Sequence, residues 1–143
     1  MSKLQHAILI AQAAHYGQTD KGGRPTFDHC AHVSSQFDNE TYQIVGVLHD
    51  TMEDSPLMGY EACVSLFGDE VAQAVDAISR RPNEKYFDYI NRCNLNPIAR
   101  AVKIADIHHN SDRSRWPDMP DSYLEREKKA LAILTNPPIE GKE

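Results

Sequence analysis

The residues best suited to chemistry in this chain fall in two places: His49-Asp50 followed by Glu53-Asp54, and Asp106 followed by Asn110. A His-Asp dipeptide sets a neutral nitrogen ligand beside an anionic oxygen ligand. That suits a divalent metal site with positions left open to water or phosphate. On one helix, residues four apart share a face and stand about 6 Å apart along the axis. His49 then stacks over Glu53, and Asp50 over Asp54, which places the two acids one turn beyond the metal as acid/base groups. A single ion needs ligands from other helices too, and His29 and Asp106 are the best candidates. Two imidazoles and two carboxylates would neutralise a 2+ ion. Mixed N/O ligation without thiolate suits manganese, iron or zinc and tells against a structural zinc site. The chemistry expected is metal-dependent phosphohydrolysis, with water of lowered pKa as nucleophile. A His-Asp pair on a helix is more often capped or solvated than metal-bound. Against that, acids at a helix C-terminus oppose its dipole, and Asp106 follows a largely apolar run.

Helices must position these groups, because strand signals are nearly absent. Leu4, Ile8, Ala11 and His15 mark one face of a first helix that Gly17 ends, and a Gly-rich charged loop runs to Pro25. A second helix is expected from about Asp28. A third is expected from Glu40 to Asp54, stopped by Ser55-Pro56, with Tyr42, Val45, Leu48 and His49 inward. Phe67-Gly68-Asp69 reads as one helix ending and another starting, with Val71, Ala74, Val75 and Ile78 on its apolar face. Further helices are expected at Glu84–Arg92, after the Asn96-Pro97 start signal, and over Asp121–Leu134. The fold expected is a single all-α domain over residues 1–143, with about six or seven helices.

At 143 residues the chain can bury a core without staples. Fifteen basic residues against 21 acidic ones give a net charge of −6, so nucleic-acid binding is not expected. An anionic substrate must then be held by the metal or by a local basic patch. The three cysteines, Cys30, Cys63 and Cys93, are widely spaced and read as reduced thiols of a cytosolic (cytoplasmic) protein. No apolar run approaches the ~20 residues of a membrane span, and the N-terminus lacks a signal cleavage pattern.

The ordered segments AAHYGQTDKGGRPTFDH, VLHDTMED, FGDEV and VKIADIHHN resemble HD-domain hydrolases of the RelA/SpoT type, most of all their short stand-alone members. The resemblance spans roughly Ala11 to Leu134. It implies an HD helical bundle and a Mn2+-dependent 3′-pyrophosphohydrolase acting on guanosine polyphosphate alarmones, although other divalent ions would fit. It matches His29, His49, Asp50 and Asp106 to the metal ligands, Glu53 and Asp54 to the catalytic acids, and Asn110 to a substrate contact. It also implies that the chain ends where long relatives begin their synthetase domains. Departures are Thr26 and Cys30 in place of a common tyrosine and proline, Asp20 in place of an arginine that packs on guanine, and Glu127 near a nucleoside-contacting tyrosine. Metal chemistry therefore transfers better than nucleotide identity. NADPH, a nucleoside monophosphate, or alarmone sensing without turnover stay open.

Among the remaining polar residues, Lys21 and Arg24 are expected to clamp phosphates from the loop ahead of His29. The loop lacks the Gly-Lys-Ser/Thr ending of a P-loop. Lys103 is expected to snorkel. His15 and His32 read as structural, with His108 and His109 flanking the metal stripe. Arg113 and Arg115 are placed near distal phosphates, and Arg80, Arg81 and Lys85 on a solvated face. Trp116 and the Tyr86-Phe87-Tyr89 cluster read as core or rim.

Overall fold

Local signals explain most helix boundaries in the computed structural model, which describes residues 1–54 and 58–138, Asp54 by its backbone alone. Helix α1 (Lys3–Ala14) opens with a capping box: Gln5 N–H donates to Ser2 Oγ, and Ser2 N–H donates to Gln5 Oε1. Its buried face is the small-residue stripe Ala7, Ala11 and Ala14, with Leu4 and Ile8 packed beside it. Helix α2 (Thr26–Ser35) follows Pro25, two residues earlier than the sequence signal, and buries His29, Cys30, Val33 and Ser34. An isolated antiparallel bridge, Thr19 to Pro25, closes the preceding loop. No other β pairing occurs among the described residues.

Helix α3 (Glu40–Leu48) is capped by Asn39 and buries Ile44, Val45, Val47 and Leu48 at the centre of the molecule. It packs on α1, α2, the sixth helix and the eighth. Gly46 lets α2 approach, because a Cβ there would stand 2.9 Å from Ser34 Cα. The single helix expected from Glu40 to Asp54 is instead two. It stops at Leu48, and a short α4 (Thr51–Asp54) follows after His49-Asp50. His49 Nδ1–H donates to Gly46 O at 2.6 Å, taking the carbonyl that residue 50 would need to continue the ladder. The expected stop at Ser55-Pro56 falls outside the described residues.

Gly68, at φ +93°, separates α5 (Tyr60–Phe67) from α6 (Asp69–Ile78). The apolar set expected on α6 is buried as a whole. Helix α7 (Tyr86–Cys93) carries Arg92, which donates to the carbonyls of Asp76, Ala77 and Ser79 at the end of α6 and pairs with Glu84 at 2.8 Å. Asn96 caps α8 (Pro97–Asn110) by accepting from Ile98 and Ala99 N–H, and α9 (Asp121–Leu134) completes the bundle. The described residues thus form nine helices rather than six or seven, and the fold class is all-α as expected. No disulfide joins the buried cysteines, and no described helix is long and apolar enough to cross a membrane.

Candidate metal centre

Three elements converge on one buried cluster: α2 brings His29, the α3–α4 break brings His49 and Asp50, and α8 brings Asp106. His29 Nε2 lies 2.7 Å from Asp106 Oδ1, and His49 Nε2 lies 3.1 Å from the same oxygen and 3.3 Å from Asp50 Oδ2. Donor atoms of His29, His49 and Asp50 lie within 4.8 Å of one another. The break in α3, not a continuous stripe, aims this set: with Nδ1–H spent on Gly46 O, His49 presents Nε2 to the cluster. His29 has its Nδ1 2.7 Å from His109 Nδ1. Two imidazole nitrogens and two carboxylates fit a divalent cation, and His29, His49 and Asp106 are each backed by a further partner, His109, the Gly46 carbonyl and Lys103 respectively.

Lys103 does not snorkel. It is buried one turn before Asp106, and its Nζ meets Asp106 Oδ2 at 2.8 Å, while Asn110 Nδ2–H donates to Asp106 Oδ1 at 3.1 Å. Burial would raise the Asp106 pKa. Lys103, His49 and the imidazole contacts outweigh it, and the carboxyl is held well below its usual range. Burial would likewise lower His49, yet Asp50 and Asp106 raise it to about 9. His109 goes the other way: burial, then Arg115 and the neighbouring histidines, lower it to about 4.

The cluster forms the floor of a cavity of about 500 Å³ that also receives Glu53, Lys21, Asn110 and Thr26. Glu53 stands exposed on α4 at this cavity. The side chain of Asp54 lies outside the described residues. Lys21 Nζ sits 4.9 Å from the Trp116 ring and 4.8 Å from the Tyr123 ring. Arg24, three residues on, is not part of this cavity. It lines a separate groove with His32, His108 and Phe37, so the expected two-cation clamp is divided between two surfaces.

Arg115, expected near the distal phosphates, does line the cavity, whereas Arg80 and Arg126 were not singled out for its wall from sequence. Arg115 pairs with Asp20 at 2.7 Å across the cavity mouth, so Asp20 holds a guanidinium where it was expected to have displaced one. Arg113 pairs with Asp121 instead and does not line the cavity. Arg80 is exposed, as expected, and also lies over the Tyr86 ring at 5.5 Å at the edge of the cavity. Arg126 stacks on Tyr86 at 3.8 Å, and buried Glu127 accepts from both Arg126 and the Tyr86 hydroxyl. Their mutual proximity crosses 41 residues of sequence, and no short motif signals it.

No protein-family model matches the chain. The SpoT protein of Escherichia coli K12, a bifunctional (p)ppGpp synthase/hydrolase, is 34% identical over 151 aligned positions covering 94% of this chain. A guanosine-3′,5′-bis(diphosphate) 3′-pyrophosphohydrolase of E. coli O157:H7 shows the same figures. The chain spans 21% of the length of both. A solved structure, described as a metazoan ortholog of SpoT that hydrolyzes ppGpp and plays a role in starvation responses, superposes with a TM-score of 0.75 at 21% identity. That match covers 94% of this chain and 86% of the other. With the ordered motifs, the sequence identity and the shared helical architecture in agreement, the chain belongs to the RelA/SpoT-type family of HD-domain proteins.

Proposed function

We propose that residues 1–143 form one HD-type domain that hydrolyses the 3′-pyrophosphate of a guanosine polyphosphate such as ppGpp, with Mn2+ as the resident ion. The observation that carries this reading is the clustering of two buried imidazoles with buried Asp106 and half-buried Asp50 at a cavity walled by Lys21, Asn110 and the aromatic residues. His29, His49, Asp50 and Asp106 would hold the cation. When bound, the cation supplies a Lewis acid that polarises the phosphoryl group and acidifies water. Glu53, at the cavity, is assigned the proton taken from the attacking water. Asp54 is assigned the proton delivered to the leaving 3′ oxygen. The water oxygen bonds to the proximal phosphorus, the phosphorus–O3′ bond breaks, and a 3′-hydroxyl and pyrophosphate result. Asn110 and Lys21 orient the phosphates.

A module that senses the nucleotide without turnover would need the ligands but not Glu53, and the position of Glu53 at the cavity supports the enzyme. The test is pyrophosphate release from ppGpp by metal-stripped protein with and without Mn2+. Mn2+-dependent release that Asp50→Ala abolishes supports the proposal, as does retained metal binding without turnover in Glu53→Gln. Absence of release despite stoichiometric Mn2+ binding would refute the alarmone substrate. A phosphate-release screen including NADPH and nucleoside monophosphates would then identify the replacement.

A further inference from the structure

We propose that His109 is a positioning residue for the metal centre: by accepting the Nδ1–H of His29 it holds that ring with the Nε2 lone pair turned to the cation. The inference rests on the metal-binding reading above and adds a residue that does not touch the ion.

Two imidazole nitrogens in contact at 2.7 Å require a proton on one and a lone pair on the other. If neutral His29 gives its Nε2 lone pair to a cation, its own proton must reside on Nδ1, and the acceptor facing that proton is His109 Nδ1. The ring geometry agrees. The two rings are nearly parallel, at 8°, with centroids 4.9 Å apart. That separation is what two imidazoles reach when they meet nitrogen to nitrogen in one plane. It is too wide for face-to-face stacking. The stacking partner of His109 is instead His32, at 3.9 Å and 12°. His32 therefore fixes the plane of His109, and His109 fixes the plane of His29.

The other histidine ligand shows why such a partner is needed. His49 has its Nδ1–H anchored by a backbone carbonyl, which can only accept. His29 lies inside α2, where its neighbours' carbonyls are committed to the helix ladder, so a side chain from another helix must serve. α8 supplies it. Asp106, His109 and Asn110 lie at i, i+3 and i+4 on one face, so a single turn delivers a ligand, the residue that orients a second ligand, and a group that donates to the first.

The experiment compares His109→Leu, which removes the acceptor at similar volume, with His109→Asn, whose Oδ1 can stand near the Nδ1 position. Mn2+ and Zn2+ are titrated calorimetrically into each metal-stripped protein, bound Mn2+ is followed by electron paramagnetic resonance, and Tm is recorded without metal. The expected result is a Kd weakened about 10- to 100-fold in the Leu variant, an altered bound-Mn2+ spectrum, and recovery of most of that loss in the Asn variant. A parental Kd in the Leu variant would overturn the inference. Equal losses in both variants with a lowered Tm would overturn it too, by assigning His109 to packing alone. Failure of the parent protein to bind either ion would overturn the metal reading itself, and is distinguishable because no variant is needed to see it.

Discussion

Proton competition at His49 should set the pH dependence of metal binding. Between Asp50 and Asp106, and against the opposing effect of burial, its imidazole is raised from 6.5 to about 9. A cation that takes Nε2 must displace that proton, so the apparent Kd weakens about tenfold for each pH unit below 9. At pH 7 the deficit is roughly 100-fold, or about 3 kcal/mol, and above pH 9 it vanishes. The sign for folding is opposite. A pKa raised above the unfolded value stabilises metal-stripped protein fully below about 6.5, and that stabilisation is lost as pH rises through about 9. Metal-stripped protein should therefore lose stability as the solution becomes alkaline, while the same change strengthens metal binding. Calorimetric titration of Mn2+ between pH 6 and 8.5, in two buffers of different ionisation enthalpy, measures both the slope and the protons released. One proton released per ion, with a slope near one decade per pH unit, is expected. A pH-independent Kd with no proton release would refute the assignment of His49 Nε2 as a protonated group in the metal-stripped site.

Lys103→Met leaves Asp106 with the protonated His49 as its remaining cation, which should cost metal-stripped protein about 1–3 kcal/mol. Added Mn2+ should restore most of the lost Tm, because the ion replaces the missing positive charge, and thermal melts in EDTA and in Mn2+ compare the two. A Cβ on Gly22 would lie 1.9 Å from the Arg115 carbonyl oxygen, so Gly22→Ala must push the Lys21 loop off the α8–α9 connection. A displacement of about 1 Å there should lower kcat/KM by up to roughly 100-fold with little change in Tm. Arg92→Met strips α6 of the donors to its last carbonyls and leaves Glu84 without its partner. It should lower stability by about 3 kcal/mol, read by denaturant unfolding, without altering Mn2+ affinity.

What was legible in the sequence was local. Asn96-Pro97 acts through a side-chain cap, Gly68 through its positive φ and the Asp121–Leu134 span through its own periodicity, and the helices they bound appear as expected. His29, His49, Asp50 and Asp106 could be nominated because only a few side chains can hold a divalent ion, and the fold brings all four together. The α3 break was hidden, because a periodic apolar pattern does not reveal that a ring N–H will compete for the Gly46 carbonyl. Lys103 misled for a related reason. A lysine beside an apolar face is normally solvated, and its pairing with Asp106, three residues on in the same helix, depends on that face being covered by other elements. Lys21 and Arg24 were inseparable by sequence, since the Thr19–Pro25 bridge sends neighbouring residues of one loop to different surfaces. The Asp20–Arg115 pair joins positions 95 apart.

The buried lysine also changes the electrostatics inferred from the ligands alone. Two carboxylates would neutralise a 2+ ion and give a phosphate no net attraction. With Lys103 held against Asp106 Oδ2, a centre loaded with a divalent ion would carry one positive charge in excess of its ligands, in a setting where burial weakens screening. Lys21 at the cavity wall adds to the same sign. The protein as a whole carries −6, so any attraction for an anionic substrate must be local to the cavity. Removing the Lys103 charge should therefore weaken capture of an anionic substrate even where the metal still binds, and the loss should shrink as ionic strength rises.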